Sequence, residues 1–481
     1  MSDNFRALPE SAAPTDFKYL LEVYMDDYIV AAIATKQRQL NHLSNAVKFE
    51  IHYVFPPDEN DKEDPISFKK LEKKEGSWAL VKDILGLTFD GNNKTVWLEE
   101  SKRNAILTIL HGWICSSRNA NHGIPFNKFH SILKIRHAFT TIPVGKGLLS
   151  PFYKILAKQP KFVFLHHNKR VLNALKECQI FLHESISTPT KCNTLITAWP
   201  DYVSIKDASK QGVGGIIIGE ENKTVPPTVF HMQWSDEIKQ NVVSQANPTG
   251  TITNSDFEMA GLMLLWLVME AICPSLTSSS HIALFSDNSP TVHWVERLAS
   301  RHSDVAMQLI WALTLRLKTQ NALPLTPLHI TGVQNAMTDI PSRSFGSIPK
   351  WHCPMDSHLL TVFNSMFLLP SQASWNIFQI SSAISTRVIF ILRTKDFSMD
   401  EWYWLPKIGR NTGPIGAPGM SNLWEWTLTY RKQPSQQQHK HSLDLQPKYA
   451  EEPTAAATQS QLQQSIALSL PLARWLLWPQ G

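Results

Sequence analysis

The amino-terminal third of the chain alternates short apolar runs with turns. YLLEVYMDDYIV, within Lys18 to Val30, is apolar except at a central pair of aspartates, which predicts two short strands meeting at an acidic turn. Leu40, Leu43, Val47, Ile51 and Val54 then recur at helical spacing until Pro56 and Pro57 stop the pattern. The charged stretch from Asp58 to Glu75 reads as a loop. Leu85 to Phe89, a turn at Asp90 to Asn93 and Thr95 to Leu98 predict a second hairpin, followed by a helix from about Glu99 to Trp113. Two or three more helices fill the stretch to Glu184.

A different rhythm begins near Thr194. A strand at Val203 to Ile205, the glycines Gly212, Gly214 and Gly215, and a strand at Ile216 to Ile218 lead to a helix around Glu258 to Ile272. A strand at Ile282 to Phe285, a further helix and a strand at Leu328 to Ile330 complete the series. Strands alternating with helices imply an α/β layered domain. After Arg343 the pattern weakens. Trp375, Trp402, Trp404, Trp424 and Trp426 imply some packing, while Gln433 to Gln464 is rich in Gln, Ser, Pro and Ala and is expected to be disordered.

Length and composition sharpen this reading. A chain of 481 residues predicts two to four domains, and 43% hydrophobic residues with 16 Trp and 22 Phe provide for packed interiors. The formal charge of +5 permits a nucleic-acid partner without requiring one. Five scattered cysteines without a C-x-x-C pair argue against a disulfide framework or a zinc knuckle and fit a reducing compartment. The first residues lack a signal-peptide apolar run, so export is not expected. Met259 to Ile272 is the most membrane-like stretch, but it is shorter than the roughly 18 apolar residues a span needs. Glu270 also interrupts it, so it reads as a buried helix.

Two constellations carry chemistry. At Tyr24-Met25-Asp26-Asp27 a tight turn projects adjacent carboxylates, a hard oxygen-rich niche suited to a magnesium ion that also holds a phosphate. A bare pair of aspartates would otherwise be a turn former. This segment resembles the palm motif of reverse transcriptases, and its sequel agrees in order: His52-Tyr53-Val54-Phe55-Pro56, then Leu85-Gly86-Leu87 in the place of the primer-grip hairpin, then Lys102 opening thumb-like helices. Ile124 to Ile155 looks like that family's connection segment. The resemblance implies Asp26 and Asp27 as catalytic metal ligands, with Tyr24 and Met25 beside the nucleic acid. Only 23 residues precede Tyr24, leaving no room for the fingers and the upstream palm carboxylate, so loss of polymerase activity is expected.

The second constellation spreads over four segments. Asp207 lies in IKDASKQGVGGIII, Glu258 in NSDFEMAGL, Asp287 in IALFSDNSPTV and Asp339 in HITGVQNAMTDIPSR, each at an end of an apolar element. Carboxylates converging from separate elements are what a nuclease with two metal ions about 4 Å apart requires. The order D, E, D, D, with DAS and glycines around the first and N-x-x-x-D-x-x-S-R around the last, resembles the ribonuclease H domain of long-terminal-repeat and DIRS-type tyrosine-recombinase retrotransposons. It implies Asp207, Glu258, Asp287 and Asp339 as catalytic metal ligands, with Asn335 and Arg343 orienting the last ligand or meeting a phosphate. Asp256 competes with Glu258, because it sits just before the same helix and could be its cap. His329 is expected to be structural and on a strand, since the loop from Gly332 to Asn335 is too short to carry a mobile histidine.

The remaining motifs are weaker. Gly409, Gly413, Gly416 and Gly419 do not form a phosphate loop, because no G-K-[ST] follows. Trp424 and Trp426 are expected to be core rather than base-stacking residues, and no Arg, His, Arg, Tyr arrangement marks a recombinase.

The expected fold is an α/β and α+β multidomain chain. It comprises a partial reverse-transcriptase palm at 1–98, a thumb- and connection-like helical region at 99–193, a ribonuclease H-like α/β domain at 194–345, an extension at 346–432 and a low-complexity tail at 433–481. The expected function is metal-dependent hydrolysis of the RNA strand of RNA–DNA hybrids, with Mg2+ or Mn2+ as cofactor and a hybrid or template–primer duplex as partner, inside the cell. The alternative is a non-catalytic nucleic-acid-binding remnant of a transposable element.

Overall fold

The computed structural model describes residues 18–24, 27–56, 66, 76–187, 189–195, 198–220, 225–273, 276, 280–369 and 374–395. Met25, Asp26, most of the Asp58–Glu75 loop, the glycines from Gly409 to Gly419, the tryptophans from Trp402 to Trp426 and the Gln-rich tail lie outside the described residues. The chain divides into two compact units, Met1–Lys102 and Arg103–Gly481.

In the first unit the apolar run folds as expected. Strands β1 (Lys18–Tyr24) and β2 (Asp27–Ile33) pair antiparallel from Lys18 opposite Ile33 to Tyr24 opposite Asp27. Helix α1 (Gln37–Val54) follows and stops before the Pro56-Pro57 pair. Strands β3 (Val81–Ile84), β4 (Leu87–Asp90) and β5 (Thr95–Leu98) form an antiparallel meander. Here the expectation of a strand beginning at Leu85 is corrected. Leu85 (φ 51°) and Gly86 (φ 81°) are the two central residues of a tight turn between β3 and β4. Two positive φ values in succession match the twist of the flanking strands, and glycine takes the second at no steric cost. Helix α2 (Glu100–Ser116) begins at the end of this unit.

The second unit opens with a run of mostly short elements and one long helix, α6: β6 (Ile124–Pro125), α3 (Phe126–Phe129), α4 (Leu133–Ala138), a 3-10 segment at Pro143–Leu149, α5 (Ser150–Lys158), β7 (Phe162–Val163), α6 (Lys169–Ser187) and β8 (Thr190–Lys191). The long strands follow: β9 (Tyr202–Ala208), β10 (Gly212–Gly219), β11 (Thr228–Gln233), β12 (Ile282–Ser286), β13 (Thr326–His329) and β14 (Asn376–Gln379). They form one mixed sheet in the order β13-β12-β9-β10-β11-β14. β10 runs antiparallel to both neighbours, and the other pairings are parallel. The helices between and after these strands are α7 (Asp236–Gln240), α8 (Asn254–Ile272), α9 (Ser289–Arg297), α10 (Asp304–Thr319), α11 (Ala336–Arg343), α12 (Asp356–Met366) and α13 (Ser382–Thr394).

One face of the sheet carries α8, buried almost all round, with α10 and α13 packed behind it. A helix apolar on every side belongs in the middle of a layered protein or in a membrane. Here the interrupting Glu270 is answered inside the protein. Its carboxylate accepts hydrogen bonds from Arg316 of α10, at 3.1 Å from Nε and also from the guanidinium's NH2 end, and from Trp266 Nε1. No helix among the described residues is long and apolar enough to cross a membrane. On the opposite face, Ile216, Ile218 and Val229 of the sheet pack with Met337 and Ile340 of α11, Leu359 and Phe363 of α12, and Trp375.

Three features depart from the expected pattern. The glycines near Gly212 lie within β10 rather than before it. β11 follows Pro226-Pro227 and is a full strand of the sheet. Beyond 345, where the pattern weakens, β14 pairs in parallel with β11 from Thr228 opposite Asn376 to His231 opposite Gln379.

A candidate metal centre at the end of the sheet

Strand register explains why the first and third acids meet. β9 and β12 are parallel neighbours, with Ile205 opposite Phe285. Side chains alternate faces along a strand, so two residues further on Asp207 and Asp287 stand side by side on one face, at the same end of the sheet. Glu258 arrives from the other face, in the second turn of α8, and reaches around the end of β9. Carboxylate oxygens of Asp207, Glu258 and Asp287 all lie within 4.8 Å of one another.

The competitor Asp256 has a different task. It occupies the capping box of α8, accepting 2.8 Å hydrogen bonds from Thr253 N and Thr253 Oγ1 and a further one from Ser303 Oγ. That joins the start of α8 to the start of α10 and turns Asp256 away from the cluster.

Asp339 sits in the first turn of α11 and is not one of the three mutually close acids. Its carboxylate pairs with Arg343 one turn on, at 2.7 Å, and Arg343 in turn lies over the Trp351 ring, 4.7 Å from its centre. Burial raises the Asp339 pKa to about 6. Asp207 and Asp287 are near enough to add to the rise, while Arg343 opposes it. Asn335 is buried just before this helix and its Oδ1 accepts a hydrogen bond from Thr338 Oγ1, so it fixes the turn into α11. Its Nδ2 has no hydrogen-bond partner among the described residues. His329 ends β13 and is exposed, with Nε2 3.2 Å from the backbone oxygen of Asp287. Of the other candidates, Tyr24 ends β1 and Asp27 begins β2, so their backbones flank the hairpin turn.

Two residues of the site stand out only in the structure. Ser342, on α11, donates a hydrogen bond to Asp207 Oδ2. Lys206, on the α8 side of β9, is completely buried and its ammonium pairs with Glu258 Oε2. Glu258 Oε1 faces the backbone N–H of Ala208 at 3.4 Å. Strand alternation could have shown that Lys206 points away from Asp207, but not that the helix opposite offers it a glutamate.

The electrostatics of the cluster ask for a cation. Burial raises the Glu258 carboxyl from 4.5 to about 7. Lys206 counters this rise and the negative Asp207 and Asp287 add to it. Asp207 is raised as well, first by burial, with the Ser342 hydroxyl opposing and Asp287 reinforcing. Burial first, and then the repulsion between the acids, disfavour their charged forms, and a bound cation would offset both. The donor set is all oxygen and suits a hard divalent ion such as Mg2+ or Mn2+.

No protein-family model matches the chain, and no curated protein sequence is similar to it. Among solved structures, it is similar to the foamy viral protease-reverse transcriptase in complex with an RNA/DNA hybrid. That match has 11% identity and a TM-score of 0.28, and covers 84% of this chain and 39% of that one. The same foamy viral protein with double-stranded DNA matches at 12% identity and a TM-score of 0.25, over 65% of this chain and 55% of the other. The chain thus spans about 39 to 55% of the length of these relatives. The site is read from its own geometry.

Proposed function

We propose that the chain is a retroelement protein of the reverse transcriptase and ribonuclease H type, and that the end of its large sheet hydrolyses the RNA strand of an RNA–DNA hybrid. The observation that carries this reading is the convergence of Asp207, Glu258 and Asp287 from three separate elements to within 4.8 Å. They come in the order, and within the motifs, that resemble the ribonuclease H family. In this reading residues 194–345 are the nuclease domain, with β14 and α13 added to it from the extension at 346–432. Residues 1–98 are palm-like, the Asp26-Asp27 turn being a second candidate for metal binding beside Tyr24 and Met25, and residues 99–193 are thumb- and connection-like. The tail at 433–481 has no assigned part.

Asp207, Glu258 and Asp287 would hold the ion, with Asp339 at its side. When bound, a divalent ion polarises a phosphodiester and makes water more acidic. The chain's own groups do the rest. Ser342 holds Asp207 in place through its hydroxyl. The last ligand candidate, Asp339, with its pKa near 6, can carry or release a proton close to neutral pH. Arg343, more than a third exposed, can exchange Asp339 for a substrate phosphate.

Cleavage of a labelled hybrid by the full chain, with and without magnesium, tests the proposal. Metal-dependent cutting should fall by more than about a hundredfold in Asp287→Asn while circular dichroism is unchanged. A second reading, a non-catalytic nucleic-acid-binding remnant, draws on the buried ammonium that already occupies one oxygen of Glu258. Hybrid binding by a folded protein with no cleavage in magnesium or manganese would decide for it.

A further inference from the structure

Lys206 is an expensive residue to place where it is. It lies on β9 with no exposed surface, against a helix that is otherwise apolar on that side. Gly261, one turn beyond Glu258, lies alongside it: a Cβ there would stand 3.7 Å from Lys206 Cδ, an ordinary contact. A buried lysine–glutamate pair contributes little net stability compared with two apolar side chains of the same size. What it does change is the charge at the cluster. Four carboxylates, Asp207, Glu258, Asp287 and Asp339, stand with two internal cations: Lys206 is paired to Glu258, and Arg343 to Asp339. The remaining charge is that of two carboxylates, which one divalent ion balances.

The two cations differ in freedom. Arg343 is 38% exposed and can swing aside, whereas Lys206 is fully enclosed and cannot leave Glu258 without opening β9 from α8. We propose that Lys206 is a fixed counter-cation that competes with the divalent ion for Glu258. It thereby lowers the metal affinity of the site and holds it to one ion when no substrate is bound. This inference rests on the proposed metal centre, and it makes Lys206 a positioning residue acting through Glu258.

The test is a manganese titration of the full chain at pH 8 and pH 9 under argon, with free Mn2+ counted by electron paramagnetic resonance, on four proteins: wild type, Lys206→Met, Lys206→Gln and Asp287→Asn. The wild type is expected to take one ion. Lys206→Met should bind about tenfold more tightly or better once Glu258 is ionised, because a unit positive charge beside the ligand is gone, and its affinity should climb more steeply with pH than that of the wild type. Lys206→Gln, which keeps a hydrogen-bonding side chain beside Glu258 without the charge, should tighten binding by a similar factor. A folded Lys206→Met protein that binds no more tightly than wild type overturns the inference. If that variant does not fold, Lys206→Gln decides: tighter binding supports the inference, and unchanged or weaker binding overturns it. Asp287→Asn separates the two levels. If it loses the ion while Lys206→Met is unchanged, the lysine inference alone fails. If it binds as well as wild type, or no protein binds manganese, the metal centre itself fails.

Discussion

Lowering the pH should weaken the metal site, because the pKa values of its carboxyls are raised. Glu258 must give up its proton to bind an ion, and its carboxyl is raised to about 7. The apparent dissociation constant is then multiplied by one plus the ratio of protonated to ionised Glu258, which is about 1.1 at pH 8 and about 11 at pH 6. Asp339, near 6, adds a factor of about two at pH 6 if it joins the ion. Manganese affinity measured calorimetrically should therefore drop about tenfold to twentyfold between pH 8 and pH 6. Titration at pH 7 in two buffers of different ionisation enthalpy should show about half a proton released per ion.

The same groups act on stability when no metal is present. The folded pKa of Glu258 lies above its ordinary value, so protonation favours the fold. This stabilisation is complete below pH 4.5 and is lost as the pH rises through about 7. The difference between 4.5 and about 7 corresponds to about 3 kcal/mol. Urea unfolding in chelator should thus show a weaker protein at pH 8 than at pH 5.5, with added magnesium restoring stability at pH 8. A pH-independent affinity, together with stability that does not fall between pH 5.5 and pH 8, would refute the electrostatic account of the cluster.

Two further outcomes follow from packing. Gly214→Ala should destabilise the fold by roughly 1–3 kcal/mol and weaken metal binding in the same protein. Its new Cβ would fall 2.5 Å from Pro341 Cβ and 2.6 Å from Ser342 N, pushing away the helix that carries Asp339; denaturation and manganese titration together check this. Glu270→Ala should cost about 3–5 kcal/mol in urea unfolding, because it strips a completely buried Arg316 of its carboxylate, whereas Glu270→Met/Arg316→Met should lie near wild type.

The legible parts of this protein were those encoded locally. The hairpin of β1 and β2 and the helix α8 follow from short-range pattern. Asp207, Glu258 and Asp287, which the fold brings within 4.8 Å of one another, each lie in a short motif at the end of an apolar element. What stayed hidden depends on distant partners. Leu85 looks like a strand residue, and only the pairing of β3 with β4 makes it a turn at positive φ. β11 follows two prolines, which obscure its start. β14 is four residues, NIFQ, with no intrinsic mark of a strand until β11 lies beside it. Lys206 was invisible for the same reason: the residue that explains it is 52 positions away on another element.

The late arrival of β14 has a consequence for how the large sheet ends. Without it, β11 would present an open row of backbone donors and acceptors, the kind of margin along which chains join one another. Residues 376–379 cover that margin and leave a shorter, four-residue edge in its place, and α13, immediately after them, packs on the back of α8 and α10. The segment works as a clasp: a strand on the rim, a helix on the reverse side, and the helix that presents Glu258 held between clasp and sheet. Shortening the protein to 345 would undo the fastening while leaving every acid of the cluster in the sequence.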